Sequence, residues 1–200
     1  MTGCSVIQPA PVVQNQTFRI PAGTLNKVAI IPFHAKDTLA KHTTIGGDSP
    51  ETATELVARF MTEALVKRGF RVIPPSDLAL AFSGQGIALP SRNPRIAAEL
   101  AARDFGATAV MLGQVSRYRD RAGERYGSSK AASVAFEVSI HSAPAGRRIW
   151  TSKFDETQRA LSENVFNARR YPGGGMRWLT AAELARWGAE SSVHTLPPPR

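Results

Sequence analysis

The chain has 200 residues, 42% of them hydrophobic, with one cysteine and a formal charge of +9 at neutral pH. That hydrophobic content fits a globular chain with a single core and excludes a disordered protein. No apolar run reaches the ~18 residues of a membrane span, and one cysteine excludes an intrachain disulfide or a cysteine-based metal cluster. The charge points to anionic partners without choosing among phosphate, acidic lipid, polysaccharide and nucleic acid.

The chain opens Met1-Thr2-Gly3-Cys4. Thr-Gly-Cys is how a bacterial lipoprotein signal ends. Cleavage falls before the cysteine, its sulfur takes a diacylglycerol, and two or more acyl chains anchor stably where one binds only marginally. Ser5, in place of Asp, fits the pattern of lipoproteins sent to the outer membrane. The alternative is a free cysteine near a true Met1 start. Residues 5–26 contain three prolines and no helical period, so they read as an extended linker lying along the domain near Phe18 and Ile20. At ~3.3 Å per residue, these 22 residues reach at most roughly 70 Å.

Lys27–Phe33 is a continuous apolar run, as expected of a strand buried on both faces. After a polar loop, Ser49 as N-cap, Pro50 at the first helical position and Gly69 as stop predict a helix. Its stripe is Ala53, Leu56, Val57, Phe60, Met61, Ala64 and Leu65. Phe70–Ile73 is the next strand, stopped by Pro74-Pro75; Ser76 and Asp77 cap a short helix through Phe82. Asn93-Pro94 starts another helix, with Ile96, Ala97, Leu100, Ala101 and Phe105 inward and Gly106 as stop.

Ala107–Tyr118 is a strand, apolar at first and then alternating. In Ser133–His141 the residues Val134, Phe136, Val138 and Ile140 face one way, and Glu137, Ser139 and His141 the other. A turn at 143–146 leads into the strand Arg147–Phe154, with Trp150 in its middle as a core residue. Thr180 and Glu183 form a capping box for a short helix ending near Gly188. The order β-α-β-α-α-β-β-β predicts an α/β fold, a mixed sheet with helices packed on one face. It also divides the chain into a lead (1–26), an α/β domain (27–155) and a C-terminal extension (156–200) docked on the domain or on partners.

A strand ending Ile31-Pro32-Phe33, the amphipathic helix, and LVKRGFRVIPPSDL at 65–78 resemble the opening of a group of periplasmic lipoprotein domains. FGATAVMLGQVSRYRD at 105–120 and VAFEVSIHSAPAGRRIWTSKFD at 134–155 resemble that group's later strand and last hairpin. The group comprises the curli secretion pore subunit, the Pel polysaccharide accessory lipoprotein, the penicillin-binding-protein activator lipoproteins and the N-terminal domain of TolB. The resemblance covers residues 27–155 and implies a TolB N-terminal-like fold and a non-enzymatic role in assembly or partner binding, several relatives forming rings. A pore would need two long amphipathic hairpins, and the loops at 34–49 and 119–132 are polar and too short for them.

Catalytic motifs are missing. The glycines at 84–86 and 173–175 lack the Lys-Ser/Thr of a phosphate loop, and the latter run reads as a hinge. Ser83, Ser128 and Ser129 have no nucleophile-elbow context, and Asp155 and Glu156 point to opposite faces of an extended segment. His34, His42, His141 and His194 never take helical ligand spacing; His34 and His42 flank one loop with Asp37, which reads as solvated. No cofactor or metal is expected.

Two basic clusters remain. Arg117, Arg119 and Arg121 alternate, which places them on one strand face opposite Tyr118, with Arg125 following. Arg169, Arg170 and Tyr171 interleave with Arg177 and Trp178. Both read either as contacts for anionic partners or as solvated faces. Arg–aromatic interleaving also suits single-stranded nucleic acid, from which a lipid anchor would hold the domain away. Trp178 and Trp187 bracket the last helix and either pin it to the domain or, with Tyr171, anchor a partner. The expectation is an accessory subunit of an envelope complex, lipidated at Cys4 and held at the periplasmic face of the outer membrane. Its partners would be envelope proteins, with a homo-oligomeric ring among them. The alternative is a soluble basic binding module for an anionic partner such as nucleic acid.

Overall fold

A computed structural model describes residues 12–21, 23–36, 44–45, 51–86, 93–123, 128–159, 171–172 and 177–199. The strands are β1 (Val13–Thr17), β2 (Lys27–Ile30), β3 (His34–Ala35), β4 (Thr44–Ile45), β5 (Glu51–Thr52), β6 (Arg71–Ile73), β7 (Ala109–Arg119), β8 (Ala122–Gly123), β9 (Ser128–Lys130), β10 (Ser133–Ser142) and β11 (Arg148–Thr157). The helices are α1 (Ala53–Lys67), α2 (Pro75–Gly84), α3 (Pro94–Phe105) and α4 (Ala181–His194). The principal sheet has seven strands in the order β1-β11-β10-β7-β2-β6, with β3 added beside β7. β2 runs parallel to β6 and β7, whereas β7, β10, β11 and β1 alternate antiparallel. The mixed sheet and the element order β2-α1-β6-α2-α3-β7-β10-β11 are those the sequence predicts.

Two apolar clusters lie on opposite faces of this sheet, so helices cover both faces and not one. Val28 and Ile30 of β2 join α1 and α4, while their neighbours Ala29 and Ile31 join α2 and α3. Alternation along a strand buried on both sides produces this split. The α1/α4 side is the larger and takes in Trp150, Phe136 and Phe154, the last two stacked at 5.2 Å. On the α2/α3 side the cluster ends at β7; α3 reaches only one end of β10, and among the described residues no helix lies over β11 and β1 on that face.

Local signals differ from the sequence reading in several places. α2 starts at Pro75, so Ser76 and Asp77 lie within its first turn and do not cap it, and Ile96 of α3, read as inward, is exposed. The N-cap of α1 is Thr52, whose hydroxyl accepts the Glu55 N–H in a capping box; Ser49 and Pro50 lie outside the described residues. β1 forms inside the stretch read as linker, pairing Val13 with Phe154 through Thr17 with Trp150. α4 does not stop at Gly188 but runs to His194. A Cβ at Gly188 would sit 2.7 Å from the Phe154 ring, so this glycine marks a close approach of helix to sheet rather than a terminus. At the other helix stop, Gly106 takes φ 62° as a left-handed C-cap of α3, as predicted.

Candidate partner-binding surface

The C-terminal segment is fastened to the sheet by groups that lie far from it in sequence. Buried Gln158 donates from Nε2 to the Arg177 carbonyl (2.8 Å) and accepts the Leu179 N–H at Oε1 (2.7 Å). Asp120 Oδ1 accepts the Ala181 N–H at the first turn of α4 (2.9 Å). Trp150 Nε1 donates to Thr195 Oγ1 (3.1 Å), and buried Ser152 and Ser192 bond at 3.0 Å. Ion pairs Arg186–Glu63 (2.6 Å) and Lys67–Glu190 (3.6 Å) join α4 to α1.

Several predicted site residues belong to this fastening. Arg121 donates to the Trp178 carbonyl (3.0 Å), on the C-terminal segment and away from the Arg117 face where alternation placed it, because β7 ends at Arg119. Arg177 pairs with Glu183 at 2.7 Å. That guanidinium, aided by the Thr180 N–H, holds the Glu183 carboxyl down at about 2 against the opposing effect of burial. Trp187 stands edge-on to Phe154 at 5.9 Å, with buried Tyr171 at 5.3 Å on its other side, and the Tyr171 hydroxyl donates to Glu156 (2.7 Å). Trp178 is half-buried. Arg117 does face away from Tyr118, across a bulge at Ser116; it reaches over small Ala135 to Asp155 (2.5 Å) and donates from Nε to Ser133 Oγ (2.6 Å). Arg119 is exposed on the same face. Cys4, Arg125, Arg169 and Arg170, like His42 and Asp37 of the polar loop, lie outside the described residues.

What the sequence did not assemble is the open half of the α2/α3 face. Strand register lines up His34, Gln114, Glu137, Lys153 and Gln14 in one polar row across five strands, with Ser139, Thr151 and Gln16 in the next. A cleft of about 330 Å³ opens where this face meets α3, lined by His34, Pro94, Leu112, Gln114, Glu137, Ser139 and His141. His141 is 8% exposed and bonds through Nδ1 to the Gly146 carbonyl (3.0 Å) and through Nε2 to Ser139 Oγ (3.1 Å). A carbonyl only accepts, so Nδ1 carries the proton and Nε2 accepts from the serine hydroxyl. Burial pushes the imidazole below its ordinary pKa, the Gly146 carbonyl opposes this, and the Arg148 charge adds to it. The ring therefore stays neutral and ties β10 to the hairpin turn. The cleft presents both donors and acceptors, which suits a polar, hydrogen-bonding ligand group.

A second groove of about 360 Å³ runs between α1 and the carboxyl ends of β2 and β6, lined by Pro32, Phe33, Ala58, Arg59, Glu63 and Pro74 among others. Phe33 lies flat against Gly113, where a Cβ would come within 2.5 Å of the ring. Among the described residues no group of three His, Cys, Asp or Glu side chains is placed to hold a metal ion. No helix of the described residues is long and apolar enough to cross a membrane.

The fold is an α/β architecture shared with a member of the lipoprotein group that the sequence resembles. The PelC dodecamer from Paraburkholderia phytofirmans superimposes with a TM-score of 0.52 at 15% identity, over 94% of this chain and 97% of that one. Lipoprotein GNA1162 from Neisseria meningitidis gives 0.43 at 17% identity, over 68% of this chain and 84% of its own. The LpoB C-terminal domain from Escherichia coli gives 0.43 at 20% identity, over 70% and 86%. At such identities the likeness is one of fold. No family profile and no curated protein sequence matches the chain.

Proposed function

We propose that this chain is a non-enzymatic accessory or assembly subunit of a cell-envelope complex, anchored through lipid on Cys4 at the periplasmic face of the outer membrane. The observation that carries the reading is the PelC likeness, which extends over nearly all of both chains. Thr2-Gly3-Cys4 supplies the anchor chemistry. Secretion, polysaccharide export and appendage assembly are the complexes in view, and self-association is part of the proposal because the PelC structure is a dodecamer. With β1 paired into the sheet, the nine residue steps from Cys4 to Val13 span at most about 30 Å, which keeps the domain close to its anchor. Among the predicted arginines, Arg119 is the one whose exposure best suits an anionic contact. Arg117, Arg121 and Arg177 support such a contact only by exchanging an internal partner.

The test is the intact mass and membrane fraction of the protein expressed from its native upstream region, beside Cys4→Ala. The expected result is an acylated wild type in outer-membrane fractions and an unmodified, soluble variant. An unmodified, soluble wild type overturns the anchor and leaves the basic binding module, with nucleic acid as the next ligand to assay.

A further inference from the structure

The sheet has two edges, and they are built differently. β6 is three residues long, carries exposed Arg71, whose guanidinium donates to Asn26 (2.6 Å), and is followed at once by Pro74. Shortness, charge and proline are the usual devices that keep an edge from pairing with another chain. β1 has none of them. Its sequence, Val13-Gln14-Asn15-Gln16-Thr17, is uncharged, contains no proline, pairs with β11 without a bulge, and is exposed at four of its five positions.

The register shows which backbone groups are left over. Phe18 N–H donates to the Ile149 carbonyl at 2.9 Å. In an antiparallel ladder alternate residues turn their main-chain groups to the same neighbour. Gln14 and Gln16 therefore bond β11 together with Phe18, while Val13, Asn15 and Thr17 aim their N–H and C=O groups outward. Among the described residues no strand lies beyond β1 to receive them.

We propose that this edge pairs antiparallel with β1 of a second copy of the chain, about a two-fold axis at Asn15, so that two sheets become one. Self-pairing sets Asn15 opposite Asn15, and Val13 of one copy opposite Thr17 of the other, giving about six main-chain hydrogen bonds. On the other face Gln14 meets Gln16. Every facing pair is neutral, so two chains of charge +9 can approach here without opposing like charges. An acidic partner, by contrast, would find no cation on this strand. A two-fold contact closes on itself and makes pairs, which a larger ring would combine with a second contact. The proposal does not depend on acylation of Cys4.

The experiment is sedimentation of the full chain from micromolar to millimolar concentration, under reducing conditions so that Cys4 cannot bridge copies. Asn15→Pro removes one outward N–H and leaves the Gln14 and Gln16 bonds to β11 in place. Asn15→Lys and Asn15→Asp each set like charges face to face across the axis. The expected result is a concentration-dependent dimer for the wild type and monomers for each variant alone, with native circular dichroism. An equimolar mixture of Asn15→Lys and Asn15→Asp should dimerise again. A wild type that stays monomeric, Asn15→Lys or Asn15→Asp variants that self-associate as the wild type does, or a mixture that fails to pair would overturn the proposal. If Asn15→Pro does not fold, the two charged variants decide alone.

Discussion

The two faces of the sheet differ more than their shared strands suggest. The face under α1 and α4 is sealed from β2 to β11 and reaches β1 only at Val13, and its helices come from distant parts of the chain, with Trp187, Tyr171 and Thr195 all brought onto β11 or its ring neighbours. The face under α2 and α3 is sealed only as far as β7, and beyond it the strands show a row of amides, a carboxylate and an ammonium. The first face holds the larger of the two cores. The second leaves a polar row of side chains outside either apolar cluster.

Unfolding experiments can break this contrast. Phe154→Ala, which empties the centre of the sealed face, should lose about 3–5 kcal/mol and lower Tm on the order of 10 °C. Glu137→Ala, one position along from Phe136 but on the open half, should stay within about 0.5 kcal/mol. Comparable losses at the two positions would mean that the open half is covered after all. Gly188→Ala tests the close approach of α4. Alanine favours a helix interior over glycine by ~1 kcal/mol, yet a Cβ 2.7 Å from the Phe154 ring should reverse the sign to a net loss of about 1–3 kcal/mol. A stabilised variant would show that α4 can lift away freely.

The smallest effect concerns His141. Its folded pKa lies below 6.5, so both folded and unfolded forms are neutral above that pH and its contribution to stability is intact there. As pH falls below 6.5 the unfolded chain takes up the proton first, and stability declines until the folded ring titrates. Urea midpoints measured between pH 8 and pH 5 should show this decline in the wild type and a flatter profile in His141→Gln. Identical slopes would remove the imidazole from the account.

The sequence carried what is local. Asn93 and Gly106 delimit α3, Thr180 and Glu183 cap α4, and the alternation of β10 separates Val134, Phe136, Val138 and Ile140 from Glu137, Ser139 and His141, as the structure has them. What escaped it depends on contacts between distant residues. The strand Val13–Thr17 has no apolar alternation of its own and exists because β11 lies beside it. Gly188 reads as a helix stop until Phe154 is seen beneath it. The arginine clusters showed the same limit. Alternation placed Arg117 correctly, but Asp155, Glu183 and the Trp178 carbonyl, which engage Arg117, Arg177 and Arg121, lie on segments that only the fold brings near. Likewise the polar row from His34 to Gln14 spans five strands and needed their register.

The pairing of Val13 with Phe154 also sets an order in time. β1 has no strand partner other than β11 among the described residues, so its pairing has to wait until β11, far along the chain, is in place. β1 is therefore expected to join the sheet after β10 and β11 have paired. Pulsed hydrogen exchange would register that schedule as protection of β10 and β11 amides ahead of those of β1.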